Sequence, residues 1–123
     1  MGSELDPGPL LQRLAEHGAA IVLPEVVGPD RPLSFRRADG QGYATPDLVV
    51  APMLAFDDAG GRLGQGGGHY DRTLQQLRAT GPVFVIGLAY AGQEIDRVPR
   101  EPHDQCLDAI LTEISYTRVR KDI

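Results

Sequence analysis

The sequence of 123 residues has little cysteine, no tryptophan and no long apolar run. Its one cysteine, Cys106, cannot form an internal disulfide, which indicates a reducing cytoplasm, and we interpret it as a buried structural thiol. The longest apolar stretches, residues 48–55 and 83–91, are too short to span a bilayer, and the first residues do not resemble a secretory signal. We therefore expect a cytoplasmic protein with no membrane partner.

Positive charge is also scarce. Twelve Lys and Arg residues against 17 Asp and Glu give a net charge of −5. Nucleic-acid binding requires clustered basic side chains, so we expect no nucleic-acid partner. An acidic protein can still bind a small polyanion locally, through backbone N–H groups and a metal ion. The length suits one compact domain, residues 1–123.

Hydrophobic patterning predicts an α/β fold. Helical spacing of leucines is found at residues 9–17 and again at residues 71–79, where Gly81-Pro82 follows. Strands are predicted at residues 19–27 (buried), 32–36 (an edge), 47–55, 83–90 and 107–112. Residues 47–55 are apolar on both faces, which predicts a central strand covered on each side. Strand, loop, helix and strand in this order form a βαβ unit, so a mainly parallel sheet is expected.

A glycine-rich loop joins the predicted central strand to the second helix. Six glycines lie between Gly60 and Gly68. A tight turn would need one or two of them. So many glycines favour a second purpose, in which backbone N–H groups approach phosphate oxygens at the positive end of the helix. No Lys-Ser or Lys-Thr follows the glycines, and the dinucleotide-binding spacing is absent, so the loop is of neither common type.

Charged residues around this loop have alternative roles. Arg62 is either a bidentate phosphate ligand or a solvated loop charge. Asp71, at the start of the helix, is either a cap or partner of the helix dipole, or a Mg²⁺ ligand, and Asp104 is a candidate second ligand. The three histidines have no zinc-site spacing, and no activated Ser or Cys nucleophile is evident.

Three segments together resemble the 5-formyltetrahydrofolate cyclo-ligase family. The first is PDLVVAPMLAFDDAGGRLGQGGGHYDRTL, residues 46–74, in which a buried strand ends in an aromatic-acid pair and leads to R-L-G-x-G-x-G-x-Y-D. The others are VFVIGLAYAGQEIDRVPREPHDQCLDAILTE, residues 83–113, and SELDPGPLLQRLAEHGAAIVLPEV, residues 3–26. The resemblance implies a three-layer α/β fold with a mainly parallel sheet, similar to ribose-5-phosphate isomerase-like folds.

The resemblance also implies an activity and a site. Members of the family are C–N bond-forming ligases of folate one-carbon metabolism. They use ATP and Mg²⁺ to phosphorylate the formyl oxygen of 5-formyltetrahydrofolate, giving 5,10-methenyltetrahydrofolate, ADP and phosphate. Carried over, Asp71 and Asp104 would bind Mg²⁺, and Glu4 would contact the pterin. The catalytic residues would be Arg62 and Tyr70. The ATP site would comprise Arg62, Leu63, Gly64, Gln65, Gly66, Gly67, Gly68, His69 and Tyr70, with Gln65 to His69 also on the folate side.

Two features depart from that family. Its members usually begin with a basic helix and a strand, whereas this sequence begins just before Glu4, and residues 37–46 replace a longer insertion. We therefore expect an incomplete cyclo-ligase domain whose exposed sheet edge favours a homodimer. Two hypotheses stay open: a working cyclo-ligase, and a catalytically silent nucleotide- or folate-binding module derived from this family.

Overall fold

A computed structural model describes residues 6–64, 68–100 and 104–119. Two α-helices, α1 (Gly8–Glu16) and α2 (His69–Thr80), alternate with short strands. A 3₁₀ helix (Ala91–Gln93) follows the sixth strand. In chain order the strands are β1 (Val22–Glu25), β2 (Ser34–Arg37), β3 (Leu48–Pro52), β4 (Ala55–Phe56), β5 (Arg62–Leu63), β6 (Phe84–Leu88), β7 (Ala109–Leu111) and β8 (Tyr116–Arg118).

The principal sheet has the strand order β3-β6-β7-β8. The first three strands are parallel, with Val49 opposite Val85 and Ile86 opposite Ala109. β8 runs antiparallel to β7, so the sheet is mixed. Because α2 lies between β3 and β6 in the chain, the predicted βαβ unit and the α/β class are confirmed. The three-layer arrangement and the likeness to ribose-5-phosphate isomerase stay predictions.

The prediction that residues 47–55 form a central strand is wrong for the described sheet. β3 lies at its edge, and β6 is paired on both sides. Burial alternates along β3, with Val49 and Ala51 buried and the residues between them half-buried. The second face is apolar for another reason: Leu48, Val50 and Pro52 line a cavity. Packed layers and an apolar cavity produce the same sequence pattern.

The prediction of a buried strand at residues 19–27 is also wrong. β1 is shorter and pairs with β2 alone, as a two-stranded antiparallel ribbon. A two-stranded ribbon buries little apolar surface by itself, and Leu23 on β1 is 48% exposed. Residues 19–24, which lead into β1 and form most of it, line the same cavity as β3.

The hydrophobic core lies where α2 packs on the sheet. Leu74 and Leu77 of α2 are buried in one cluster with Val85 of β6. Gly87 allows Leu107 and Met53 to meet over β6, since a Cβ there would lie 2.6 Å from Leu107 Cδ1 and 2.7 Å from Met53 Cε. This packing fixes α2, and with it the end of the glycine loop, relative to the sheet.

Neither of the described helices is long and apolar enough to cross a membrane.

Candidate functional site

A small hairpin at the carboxyl end of β3 supports the start of the glycine loop. β4 and β5 pair antiparallel, and the turn between them surrounds the buried carboxylate of Asp57. Asp57 Oδ1 accepts hydrogen bonds from Gly61 N at 2.8 Å, Ala59 N at 3.0 Å and Arg100 Nη2 at 3.1 Å. Its Oδ2 accepts one from Val98 N at 2.9 Å. One side chain therefore ties the hairpin to the segment after the 3₁₀ helix.

The environment of Asp57 favours its charged form. Burial alone would raise the pKa of this carboxyl, and it is the largest single effect. The hydrogen bonds from the Val98 and Gly61 amides, with the charge of Arg100, together outweigh it and lower the pKa of Asp57 below its ordinary value. The sequence analysis gave Asp57 no role. The available signal was its position in the aromatic-acid pair, just before Gly60-Gly61.

Arg62 lies at the base of the loop and is half-buried. Its Nη2 donates to the carbonyl of Pro52 at 2.8 Å, and its guanidinium carbon lies 5.3 Å from the centroid of the Tyr70 ring. A Cβ at Gly64 would come within 2.7 Å of Nη2, so a larger residue there would displace the Arg62 guanidinium from its observed position. The interpretation of Arg62 as a solvated loop charge is wrong. The fold brings Arg62 and Tyr70, the predicted catalytic pair, into contact.

The helix α2 begins two residues earlier than predicted. Gly68 is its N-cap, with φ +68°, in the left-handed region that glycine adopts without strain. His69 opens the helix, and its Nδ1 lies 3.2 Å from the carbonyl oxygen of Arg31. Leu63, before the loop, is 46% exposed. The positive end of α2 therefore lies at Gly68, where the predicted phosphate loop ends.

Asp71 is in the first turn of α2 and makes no side-chain cap, so the cap interpretation is wrong. Its position beside the positive end of the helix confirms the interpretation as a partner of the helix dipole. Its Oδ1 accepts a hydrogen bond from the backbone N–H of Gln105 at 3.0 Å. Because Gln105 follows Asp104 directly, this bond holds the backbone next to Asp104 against Asp71, although the two residues are distant in sequence. Sequence alone could not establish that proximity.

The donor set fits Mg²⁺ better than a transition metal. Within residues 6–64, 68–100 and 104–119 there is no cluster of three or more His, Cys, Asp or Glu side chains. Mg²⁺ keeps several waters and typically takes one or two protein carboxylates together with phosphate oxygens. The bond to Gln105 uses Oδ1 of Asp71 and leaves Oδ2 outside that contact. Asp71 and Asp104 are the residues that could hold the ion.

Gln93 holds the ends of two parallel strands together beside the site. Its Oε1 accepts from Tyr90 N at 2.7 Å, after β6. Its Nε2 donates to Leu54 O at 3.0 Å and Met53 O at 3.3 Å, after β3. Sequence alone does not reveal this role, because the two main-chain acceptors of Nε2 lie about 40 residues earlier in the chain.

Cys106 is half-buried, so the prediction of a buried thiol is wrong. Arg100 Nη1 lies 3.4 Å from its Sγ, and the same guanidinium group reaches Asp57. Residues 104–106 are therefore only partly buried, and the core resumes at Leu107.

A cavity of about 840 Å³ opens between α1, β1 and β3. Its lining is mostly apolar, with Asp6 before α1 and Tyr70, the partner of Arg62, among the lining residues. Glu4, Gln65, Gly66 and Gly67, also predicted site residues, lie outside the described residues.

Comparison with known proteins identifies the group of relatives. A model of the 5-formyltetrahydrofolate cyclo-ligase family matches residues 34–113. The chain belongs to this family. It is 33% identical over 136 residues to the 5-formyltetrahydrofolate cyclo-ligase of Mycolicibacterium smegmatis, an alignment that covers 91% of the chain and 69% of that relative. It is 46% identical over 68 residues to that of Escherichia coli K12, covering 54% of the chain and 36% of the relative.

Two solved structures share the fold. The 5,10-methenyltetrahydrofolate synthetase of Aquifex aeolicus superposes with a TM-score of 0.74 and 30% identity, covering 100% of this chain and 70% of that one. The synthetase of Mycoplasma pneumoniae gives a TM-score of 0.66 at 30% identity, covering 81% and 60%. The predicted membership of a ligase family is thus confirmed. The chain spans about a third of the E. coli relative and two thirds of the M. smegmatis one.

Proposed function

We propose that this chain carries out, or contributes the nucleotide site for, the ATP- and Mg²⁺-dependent cyclisation of 5-formyltetrahydrofolate to 5,10-methenyltetrahydrofolate. The observation that carries the proposal is the hydrogen bond from Gln105 N to Asp71. It holds two carboxylate-bearing segments together at the positive end of a helix that follows a glycine loop. Such a place suits a triphosphate and its metal ion.

The chemistry needs positioning and charge neutralisation more than a protein nucleophile. The formyl oxygen attacks the γ-phosphorus of ATP, and the bond to ADP breaks. The folate N10 then attacks the formyl carbon and loses its proton to solvent, and phosphate leaves with the former formyl oxygen. Mg²⁺, when bound, supplies positive charge to the phosphates.

The described residues have defined parts in that scheme. Arg62 would neutralise charge that develops on the transferred phosphoryl group. Tyr70 would orient the Arg62 guanidinium group by packing against it. Leu63, Gly64, Gly68 and His69 would contribute backbone to the ATP site. Gln65, Gly66, Gly67, Gly68 and His69 are proposed to line both the ATP and the folate sides.

The folate is proposed to bind in the cavity between α1 and β3. Its 840 Å³ falls within the range of small-molecule sites, roughly 300–1,000 Å³. The apolar lining suits a flat ring system, and Tyr70 in that lining connects the cavity to the glycine loop. Glu4 is proposed to contact the pterin, close in sequence to Asp6, which also lines the cavity.

The alternative is a binding module without turnover. It is favoured by the connection at residues 37–46, which replaces a longer insertion of the family. In both cases we propose a cytoplasmic protein that binds no nucleic acid or membrane. A homodimer through the edge of β3 is a further proposal, because β3 is paired on one side only in the described sheet.

The test combines nucleotide binding with turnover. Wild-type protein should consume ATP only when 5-formyltetrahydrofolate is present, with the absorbance of the methenyl product rising in parallel. Asp71→Asn should weaken Mg²⁺-dependent ATP binding by on the order of tenfold or more, since it removes a charged metal ligand. The matched control is Asp96→Asn at an exposed position, which should leave binding unchanged.

The two hypotheses give different results. ATP binding that depends on Mg²⁺ and Asp71, without product, would favour the silent module. Nucleotide affinity that is the same for wild type and Asp71→Asn would contradict both.

A further inference from the structure

The segment that carries Asp104 is fastened to α2 at two points. The first is the Gln105 N–H that Asp71 accepts in the first turn of the helix. The second is Arg78, seven residues later and therefore on the same face. Arg78 donates from Nη2 to Cys106 O at 2.8 Å and to Asp108 Oδ2 at 3.1 Å, and from Nη1 to Gln105 Oε1 at 3.1 Å. One guanidinium group thus contacts three of the four residues that follow Asp104.

These contacts are sheltered from water. The side chains of Arg78 and Asp108 are 24% and 14% exposed. Asp108 Oδ2 also accepts from the backbone N–H of Val85 in β6, at 2.8 Å, so the ion pair is fixed to the sheet. An ion pair held in this way at low exposure resists the screening and side-chain disorder that weaken surface pairs.

We infer that Arg78 is a positioning residue for the metal site, an inference that rests on the proposed function. By holding Gln105 and Cys106 against α2, it fixes the start of the segment and so sets where Asp104 lies relative to Asp71. It touches no proposed substrate itself. Lysine could restore the charge beside Asp108, but a single ammonium group cannot reproduce the planar fork that also reaches Gln105 and Cys106.

The experiment measures metal binding directly, with Mn²⁺ as the probe. Loss of the free Mn²⁺ signal in electron paramagnetic resonance is titrated in the presence of a non-hydrolysable ATP analogue. The proteins are wild type, Arg78→Gln, Arg78→Lys and the control Arg37→Gln. The control removes an exposed ion pair between Arg37, at the end of β2, and Asp39. All four are measured well below their melting temperatures.

We expect Arg78→Gln to weaken Mn²⁺ binding by on the order of tenfold, as loss of groups that orient metal ligands commonly does. Arg78→Lys should lie between it and the wild type, and Arg37→Gln should match the wild type. Exchange of the Gln105 amide hydrogen, protected by Asp71, should be faster in Arg78→Gln. A purely structural role would lower the melting temperature without moving the Mn²⁺ affinity of the folded protein.

Two results would overturn the inference and are distinguishable. Equal Mn²⁺ affinity in the wild type and the Arg78 variants would refute the positioning role while leaving the proposed function intact. A wild-type protein that binds no Mn²⁺ with the nucleotide would refute the proposed function, and the positioning role with it. If Arg78→Gln does not fold, Arg78→Lys decides the question by the same comparison.

Discussion

Replacing Asp57 with asparagine tests whether a buried carboxylate organises the hairpin under the glycine loop. Asp57 is 3% exposed and accepts four hydrogen bonds. Three of them reach Oδ1, so asparagine would best place its oxygen there. Its NH₂ group would then face the Val98 N–H, donor against donor. The variant loses one buried hydrogen bond outright and weakens the other three by removing the charge.

The expected loss of stability follows from the number of hydrogen bonds that the substitution removes or weakens. A hydrogen bond to a charged group contributes about 1.5–3 kcal/mol, and a buried donor left without an acceptor costs a similar amount. We therefore expect Asp57→Asn to lower the free energy of unfolding by about 3 kcal/mol at pH 7. For a chain of this size that is roughly 12 °C in melting temperature. Asp58→Asn, at the next and exposed position, is the matched control and should change stability by less than about 0.5 kcal/mol.

The effect should also depend on pH, in a definite direction. The pKa of Asp57 in the folded protein lies below its ordinary value of 3.8. Its carboxylate therefore contributes fully to stability above that ordinary value, and the contribution is lost as the pH falls through the lower, folded pKa. The difference in free energy of unfolding between wild type and Asp57→Asn should be constant from pH 7 to pH 5 and should become smaller below about pH 4. Urea unfolding followed by circular dichroism measures it, and a gap under about 1 kcal/mol at pH 7, or one unchanged at pH 3, would refute the reasoning.

Two glycine substitutions test close packing at other positions. Gly60→Ala should lower the free energy of unfolding by about 2 kcal/mol, because φ is +90° and the new Cβ would lie 3.0 Å from Leu107 O. In the same urea titration Gly92→Ala, which meets open space, should be neutral. Gly87→Ala should cost about 1–3 kcal/mol by overpacking Met53 and Leu107. Shortening Met53 to alanine in the same protein should recover part of that loss. If the free-energy changes of the two substitutions were strictly additive, the contact between residues 53 and 87 would be contradicted.

The elements that sequence predicted best are those specified by local pattern. The βαβ unit came from two continuous apolar runs around a helix with period 3.6, and its parallel pairing follows from the long helical crossover between the two strands. The β4–β5 hairpin was missed because each strand has two residues, too few for any alternation to show. What holds it is the set of bonds to Asp57, one of them from Val98 some 40 residues away.

The sequence predicted which residues form the candidate site better than it predicted how they are arranged. The resemblance named Asp71 and Asp104, and the fold then supplied the bond to Gln105 that brings their segments together. Arg78 escaped notice because an arginine near the end of a helix is expected to face solvent or the helix dipole. Its three acceptors lie 27 to 30 residues later in the chain, so only the folded structure relates them to it.

The six glycines of the loop divide into two groups with different causes. Gly60 adopts φ +90° in the hairpin turn, and a Cβ on Gly61 would lie 2.7 Å from Asp57 Oδ2, so these two serve the turn around Asp57. Gly64 makes room for Arg62, and Gly68 caps α2 in a left-handed conformation. Gly60 and Gly61 are therefore the one or two glycines that a tight turn needs. The phosphate hypothesis must rest on Gly64 to Gly68 alone, where the chain meets the positive end of α2 beside Asp71. Alanine at Gly60 should accordingly reduce stability with nucleotide affinity unchanged in the folded fraction, which separates the turn from the binding loop.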